Sequence, residues 1–194
     1  HVPLDVGAMV EPLAVAVQAC SVAHIRPGDS ALVIGAGPIG ILTALSALAS
    51  GCAHVTIAGT THGKLQLAET LSPGRITGIV IEKDVEKDSS GSLTQQAQAR
   101  TAGRGADIVF ECSGDPMAAA EAPACAAYGG MLVRVGCPPP FMMDTGPMLV
   151  RQLRCVSVFR YAHMYPRCIA MLASGAFDVR PLITDRYDFD DSVA

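Results

Sequence analysis

The stretch Ser30-Ala31-Leu32-Val33-Ile34-Gly35-Ala36-Gly37-Pro38-Ile39-Gly40 decides how the rest of the chain is read. A short apolar run ends in glycines, and the following Ile39 to Ser50 is rich in Ala, Leu and Ile and closes at Gly51. That order predicts a strand, a tight turn, a helix and a glycine stop. Glycine-rich turns are common, but between a strand and a helix the spacing Gly35-x-Gly37-x-x-Gly40 acquires a specific meaning. Gly35 permits the turn, Gly37 lets the backbone approach a pyrophosphate, and Gly40 lets the helix pack closely on the strand. The N–H groups at the helix start then hold the anion. A helix start without a ligand is the competing reading.

Outward from this unit, strands and helices alternate. His54 to Ile57 reads as a second strand and His62 to Leu71 as a helix. Ile76 to Ile81 is a weaker strand signal because of its glycine and the charges beside it. The segment Glu82 to Gln98 reads as polar surface. Asp107 to Cys112 is a strand entered from the turn Gly103-Arg104-Gly105. Pro116 to Tyr128 reads as an Ala-rich helix bent at Pro123, and Gly129-Gly130 leads into a strand from Met131 to Val135. Pro138-Pro139-Pro140 must leave the sheet, since prolines supply no ladder donors. Cys155 to Phe159 is a last strand and Tyr165 to Ala173 a last helix. Near the start, Pro12 to His24 reads as an apolar helix begun by Glu11, whose carboxylate faces the positive helix end. This alternation predicts an α/β fold, a Rossmann doubly wound parallel sheet with helices on both faces. Residues 1–24 are expected to form a linking segment and first helix, 25–182 the dinucleotide-binding domain, and 183–194 an acidic stretch that ends as another helix begins.

Composition narrows the function. The chain has 194 residues, half of them hydrophobic, with 14 basic and 18 acidic residues giving a net charge of −4. This is enough for a sizeable core and argues against disorder. Weak acidity without Lys/Arg clusters argues against a nucleic-acid partner. No apolar run approaches the roughly 20 residues that span a bilayer. The start His1-Val2-Pro3-Leu4-Asp5 lacks the order of a signal peptide and an initiator Met, so the chain reads as a processed or excised piece. The seven cysteines are odd in number and spread without C-x-x-C spacing. They read as small buried hydrophobes in a reducing, cytoplasmic setting.

At the end of the second strand an Asp or Glu would accept hydrogen bonds from adenosine ribose hydroxyls. That position falls at Gly59, and no acid occurs between Ser30 and Ala68. Without a carboxylate there is no repulsion against a 2′-phosphate, which Thr60, Thr61 and Lys64 are placed to bind. NADP is therefore favoured over NAD, although a basic residue at Lys64 also suits the adenosine of NAD.

Five motifs now stand in order: Gly7-Ala8-Met9-Val10-Glu11-Pro12-Leu13, Gly35-Ala36-Gly37-Pro38-Ile39-Gly40, Phe110-Glu111-Cys112-Ser113-Gly114, Val158-Phe159-Arg160-Tyr161, and Val179-Arg180-Pro181-Leu182-Ile183-Thr184. Across nearly its whole length the chain resembles the cofactor-binding portion of the zinc-dependent medium-chain dehydrogenases, and among them the sorbitol (polyol) dehydrogenases. The resemblance implies that Gly35, Gly37, Pro38, Ile39 and Gly40 hold the pyrophosphate, with Gly59, Thr60 and Lys64 around the adenosine. It implies that Val135-Gly136-Cys137 and Val158-Phe159-Arg160 border the nicotinamide. Glu11 would sit beside a catalytic zinc and its water, and Arg160 and Tyr161 would hydrogen-bond hydroxyls of a sugar alcohol or ketose.

The family's metal-binding half is absent from this sequence, so the resemblance implies a zinc site only in a longer parent and little turnover from this chain alone. It also implies a homodimer through the edge strand 155–159. Residue by residue, alternatives stay open. Glu11 also fits a helix-start acid without chemistry, Arg160 a strand-end ion-pair partner, and Tyr161 a packed ring. His24, His54, His62 and His163 read as surface or internally satisfied histidines. Two further functions compete: a catalytically dead dinucleotide-binding scaffold, and a zinc alcohol dehydrogenase of another substrate class.

Overall fold

The computed structural model describes residues 2–81 and 91–191. Six strands form one parallel sheet in the order β3-β2-β1-β4-β5-β6. These are β1 (Ser30–Ile34), β2 (His54–Gly59), β3 (Ile76–Val80), β4 (Ala106–Glu111), β5 (Ala126–Arg134) and β6 (Arg154–Ser157). The helices are α1 (Leu4–Gly7), α2 (Val10–Ala23), α3 (Pro38–Ser50), α4 (His62–Leu71), α5 (Leu93–Ala99), α6 (Pro116–Glu121), α7 (Gly146–Val150) and α8 (Tyr165–Ala173). The doubly wound sheet expected from the glycine turn is the fold observed.

Both faces of the sheet are covered, which explains why the middles of its central strands are apolar on both sides. Val33, Val55, Ile57, Phe110 and Val133 face Ala19, Ile41, Ala44, Leu45 and Leu65 from α2, α3 and α4. The alternate residues Leu32, Ile34, Ala58, Val109 and Leu132 face Leu93, Ala97 and Ala122 on the other side. A third cluster joins Val6, Val10, Leu13 and Val17 to Leu42, Met164, Cys168 and Val179, so α2, which packs on the sheet beside α3, also carries α8 on its outer side. Among the described residues no helix is long and apolar enough to cross a membrane.

Several boundaries differ from the sequence reading. Residues Glu82 to Ser90 of the expected polar segment lie outside the described residues. Its remainder folds as α5, begun by a reciprocal cap in which the Gln95 N–H donates to the Ser92 hydroxyl and the Ser92 N–H to Oε1 of Gln95. The helix expected to reach Tyr128 ends at Glu121 and tightens into a 3-10 turn, Ala122–Cys125, at Pro123. The strand then starts five residues early, at Ala126, and crosses a register shift against β4. Gly129 adopts φ +71° in that irregularity. β6 ends at Ser157, leaving Val158 and Phe159 beyond the strand. Helix α2 begins at Val10, with Glu11 inside its first turn, and the short α1 and α7 were not anticipated. The acidic end forms a 3-10 turn, Phe189–Asp191, and residues 192–194 lie outside the described ones. Of the cysteines, Cys20, Cys52, Cys125 and Cys168 are buried as expected, but Cys137 and Cys155 are exposed. His54 is satisfied internally, its Nε2 lying 2.7 Å from the Thr77 hydroxyl.

At the opposite edge of the sheet from the glycine turn, Asp107 ties the starts of β1 and β4. It accepts from the Ser30 N–H at 2.8 Å, the Ser30 hydroxyl at 2.7 Å and the Arg104 guanidinium. Burial alone would raise its pKa, but the bonds from Arg104 and Ser30 outweigh burial and hold it at about 2. Because the folded value lies below the ordinary 3.8, its stabilising effect is complete above that value and is lost as pH falls towards 2. Asp107→Asn should therefore flatten the acid limb of stability, followed by urea unfolding at successive pH values, between about pH 4 and 2. An unchanged limb would mean that other carboxylates govern acid unfolding.

Candidate dinucleotide and substrate site

In a parallel sheet all strands end at one edge, and β1 and β4, neighbours that are not consecutive, open a crevice there. The glycine turn sits at its mouth. Gly35 adopts φ +108°, and a Cβ on it would fall 2.8 Å from the Ser113 nitrogen, so only glycine suits this close approach. Gly40 is more restricted still, since a Cβ would lie 1.7 Å from the Gly35 carbonyl oxygen. Gly37, extended at φ −76° and ψ 178°, caps α3 with Pro38 in the first turn. No atom lies within 4 Å of where its Cβ would stand. Gly35 and Gly40 are thus explained by packing inside the fold, whereas the space at Gly37 is open to an approaching group. The N–H groups of Ile39 and Gly40 in that first turn have no partner within the helix, at its positive end.

Across the crevice Glu111 ends β4 and is 1% exposed. One carboxylate oxygen accepts from the Ser113 N–H (2.8 Å), the Ser113 hydroxyl (2.6 Å) and the Gly114 N–H (3.0 Å). The other oxygen has no hydrogen-bond partner. It lies against Gly136, where a Cβ would come within 2.6 Å of it and 2.5 Å of the Gly114 nitrogen. The loops after β4 and β5 therefore meet over one carboxylate. Val135 is half-buried and Cys137 exposed beside this junction. Sequence reasoning used Glu111 only as part of a motif. The available signal was a charged residue closing an otherwise apolar strand, immediately before Ser-Gly.

At the expected adenosine position Gly59 ends β2, buried, and a Cβ on it would meet the Ala36 Cβ at 2.7 Å. Thr60, Thr61 and Lys64 beyond it are exposed, and Thr61 precedes α4 without its hydroxyl capping the helix. β2 itself ends in Gly59 rather than in a carboxylate.

The expected substrate residues are partly gathered. Tyr161 lies after β6 and packs against the cluster that holds α2 to α8. Its hydroxyl is 2.9 Å from that of Tyr165, with ring centroids 5.2 Å apart. The Tyr161 hydroxyl is pushed up to about 12, first by the Tyr165 hydrogen bond, then by shielding from water, then by the charges of Tyr165 and Glu11. Glu11 and Tyr161 are therefore within electrostatic reach. Arg160 is exposed, adopts φ +59°, and lays its guanidinium 5.7 Å from the Phe159 ring centroid. Val158 is buried, donating its N–H to the Arg134 carbonyl, whereas Phe159 is 81% exposed. Tyr165 was not singled out from the sequence, where it read only as the start of a helix. Among the described residues no three His, Cys, Asp or Glu side chains group to hold a metal ion.

Comparison with known proteins accords with this geometry. A D-xylulose reductase of Morganella morganii is 40% identical over 188 residues, covering 96% of this chain and 53% of that protein. A sorbitol dehydrogenase of Arabidopsis thaliana is 35% identical over 190 residues, covering 97% and 51%. The chain spans about half the length of the curated relatives it matches. The crystal structure of 2R,3R-butanediol dehydrogenase from Bacillus subtilis shares the fold, with a TM-score of 0.78 at 24% identity over 90% of this chain and 48% of that one. Residues 38–174, from the first turn of α3 through α8, match the zinc-binding dehydrogenase family, and the chain belongs to that family.

Proposed function

We propose that this chain is the nicotinamide-dinucleotide-binding part of a polyol dehydrogenase. The observation that carries the reading is the open space at Gly37, set between two sterically obligatory glycines at the start of α3. Residues 25–182 form the binding domain, 1–24 its junction with a catalytic half, and 183–194 the return to it. The bound dinucleotide supplies hydride acceptance and donation at its nicotinamide ring. The chain's part is to hold it. Ile39 and Gly40 N–H groups take the pyrophosphate, while the ends of β5 and β6, with Gly136, Cys137 and Val158, border the nicotinamide.

The 2′-phosphate form, NADP, is the preferred cofactor. Gly59 presents no negative charge, and Thr60, Thr61 and Lys64 offer hydroxyl donors and a cation. Arg160 and Tyr161 bind hydroxyls of a sugar alcohol or ketose, with Glu11 beside them. The family name implies a zinc ion, but the described residues offer no donor set for one, so no step through a metal is assigned to this chain. The open side of β6, at the end of the sheet, is proposed to pair with a second copy, and the cytoplasm is the proposed setting.

The test is a titration with NADPH and NADH followed by nicotinamide fluorescence. NADPH should bind at least about tenfold more tightly, a difference of about 1.4 kcal/mol. Gly37→Val should abolish binding of both while leaving the far-ultraviolet circular dichroism unchanged. Retained binding in Gly37→Val would exclude the glycine turn as the pyrophosphate site, and tighter NADH binding would exclude the reading of Gly59.

A further inference from the structure

We propose that Tyr165 is a positioning residue for Tyr161: its hydroxyl holds the Tyr161 hydroxyl at 2.9 Å and so fixes where Tyr161 presents its oxygen. The inference rests on the polyol-binding reading of Tyr161 given above.

The loop that carries Tyr161 has an uncommon backbone conformation. Arg160 and His163, the residues on either side of Tyr161-Ala162, adopt φ +59° and +58°. Side-chain-bearing residues are uncommon in this left-handed region, and two so close together are held there by their surroundings. Three restraints are visible. The Ala162 N–H donates to the Gln18 side chain of α2 at 3.4 Å. Met164 is buried in the α1/α2/α8 cluster. The third is the Tyr161–Tyr165 bond.

Tyr165 is well placed for this and poorly placed for core filling. It is the first residue of α8, four positions from Tyr161, and 40% exposed. The rings are tilted by 36° to one another, and the hydrogen bond between their hydroxyls is exposed. When one hydroxyl donates to the other, the accepting group keeps its own proton and the donating oxygen keeps its lone pairs. The pair therefore offers one remaining proton and lone pairs on two neighbouring oxygens, with Glu11 also in reach of the Tyr161 hydroxyl, an array that complements a carbon chain bearing adjacent hydroxyls. The charged side chains nearby are Glu11 on α2 and Arg160 and His163 on the loop.

The experiment uses this chain with tyrosines labelled at 13Cζ, loaded with NADPH, with xylitol as the polyol probe. Tyr161→Phe assigns the Tyr161 signal. In the unsubstituted chain that signal should stay nearly constant from neutral pH to about 11, above the ordinary tyrosine value of about 10. Tyr165→Phe should let Tyr161 ionise within the same range. It should also raise the xylitol concentration needed to perturb the signal at least about fivefold, roughly 1 kcal/mol. If Tyr165→Phe changes neither property, the positioning role is overturned. If it changes the ionisation while the unsubstituted chain shows no response to xylitol, the tyrosine pairing stands and the polyol reading is what fails.

Discussion

Replacing Gly40 with alanine should abolish dinucleotide binding and lower the thermal unfolding midpoint by roughly 10 °C. The added Cβ would stand 1.7 Å from the Gly35 carbonyl oxygen, about half an ordinary contact distance. Neither partner can yield by a side-chain rotation, since both atoms belong to or hang directly from the backbone. Either the start of α3 moves away from the sheet or Gly35 leaves its left-handed conformation. Overpacking typically costs about 1–3 kcal/mol, a clash with backbone falls at the top of that range, and each kcal/mol lowers the midpoint of a domain this size by about 2–4 °C. The helical propensity gained by alanine, at most about 1 kcal/mol, does not offset it. Calorimetry with and without NADPH makes the check. A Gly40→Ala chain that keeps its midpoint would show that the β1–α3 junction is looser than these distances require.

Glu111→Ala should destabilise the chain by about 3 kcal/mol, whereas Glu111→Gln should cost less than about 1 kcal/mol. Two opposing effects meet at this side chain. Burying a carboxylate is unfavourable, and one of its oxygens gains no hydrogen bond in return. The other oxygen binds three donors of the Ser113–Gly114 turn, and hydrogen bonds to a charged group are worth about 1.5–3 kcal/mol each. Alanine removes all three and leaves a void beneath Gly136. Glutamine keeps an acceptor oxygen and the volume while removing the buried charge. Since the loops after β4 and β5 share this anchor, Glu111→Ala should also weaken NADPH binding about tenfold, or 1.4 kcal/mol. Urea unfolding paired with fluorescence titration separates the two effects. Equal stability of the alanine variant and the parent would mean that desolvation cancels the hydrogen bonds, leaving Glu111 without a supporting role.

Much of the fold could be read from local pattern because its central strands are buried on both faces and bounded by glycine. The Ser30–Gly40 unit carried strand period, turn chemistry and helix start together, and each pointed to the same topology. Where the cues conflicted, the reading went astray. Ala126 and Ala127 continue an Ala-rich helical composition, yet they pair with β4 because Pro123 ends the helix and the register shift at Gly129-Gly130 admits an early strand. Helix α5 buries Leu93 and Ala97 on one side only, and its polar remainder obscured it despite the Ser92/Gln95 cap. At the site, the glycines were legible because their constraint is steric and local. Glu111 and Tyr165 were not, since each matters through a neighbour that only the folded chain brings within hydrogen-bond distance.

The contact between Ala36 and Gly59 has a historical consequence. An acidic side chain at position 59 would change the electrostatics of the adenosine pocket and, in the same step, drive its Cβ into Ala36. The two positions behave as a lock with two keys. A lineage that exchanged one cofactor for the other through position 59 would first have to trim residue 36 to glycine or displace the turn. The first of those changes alters no charge, so selection on cofactor choice would not see it. The cofactor preference proposed for this position would thus be guarded by a silent intermediate as well as by charge.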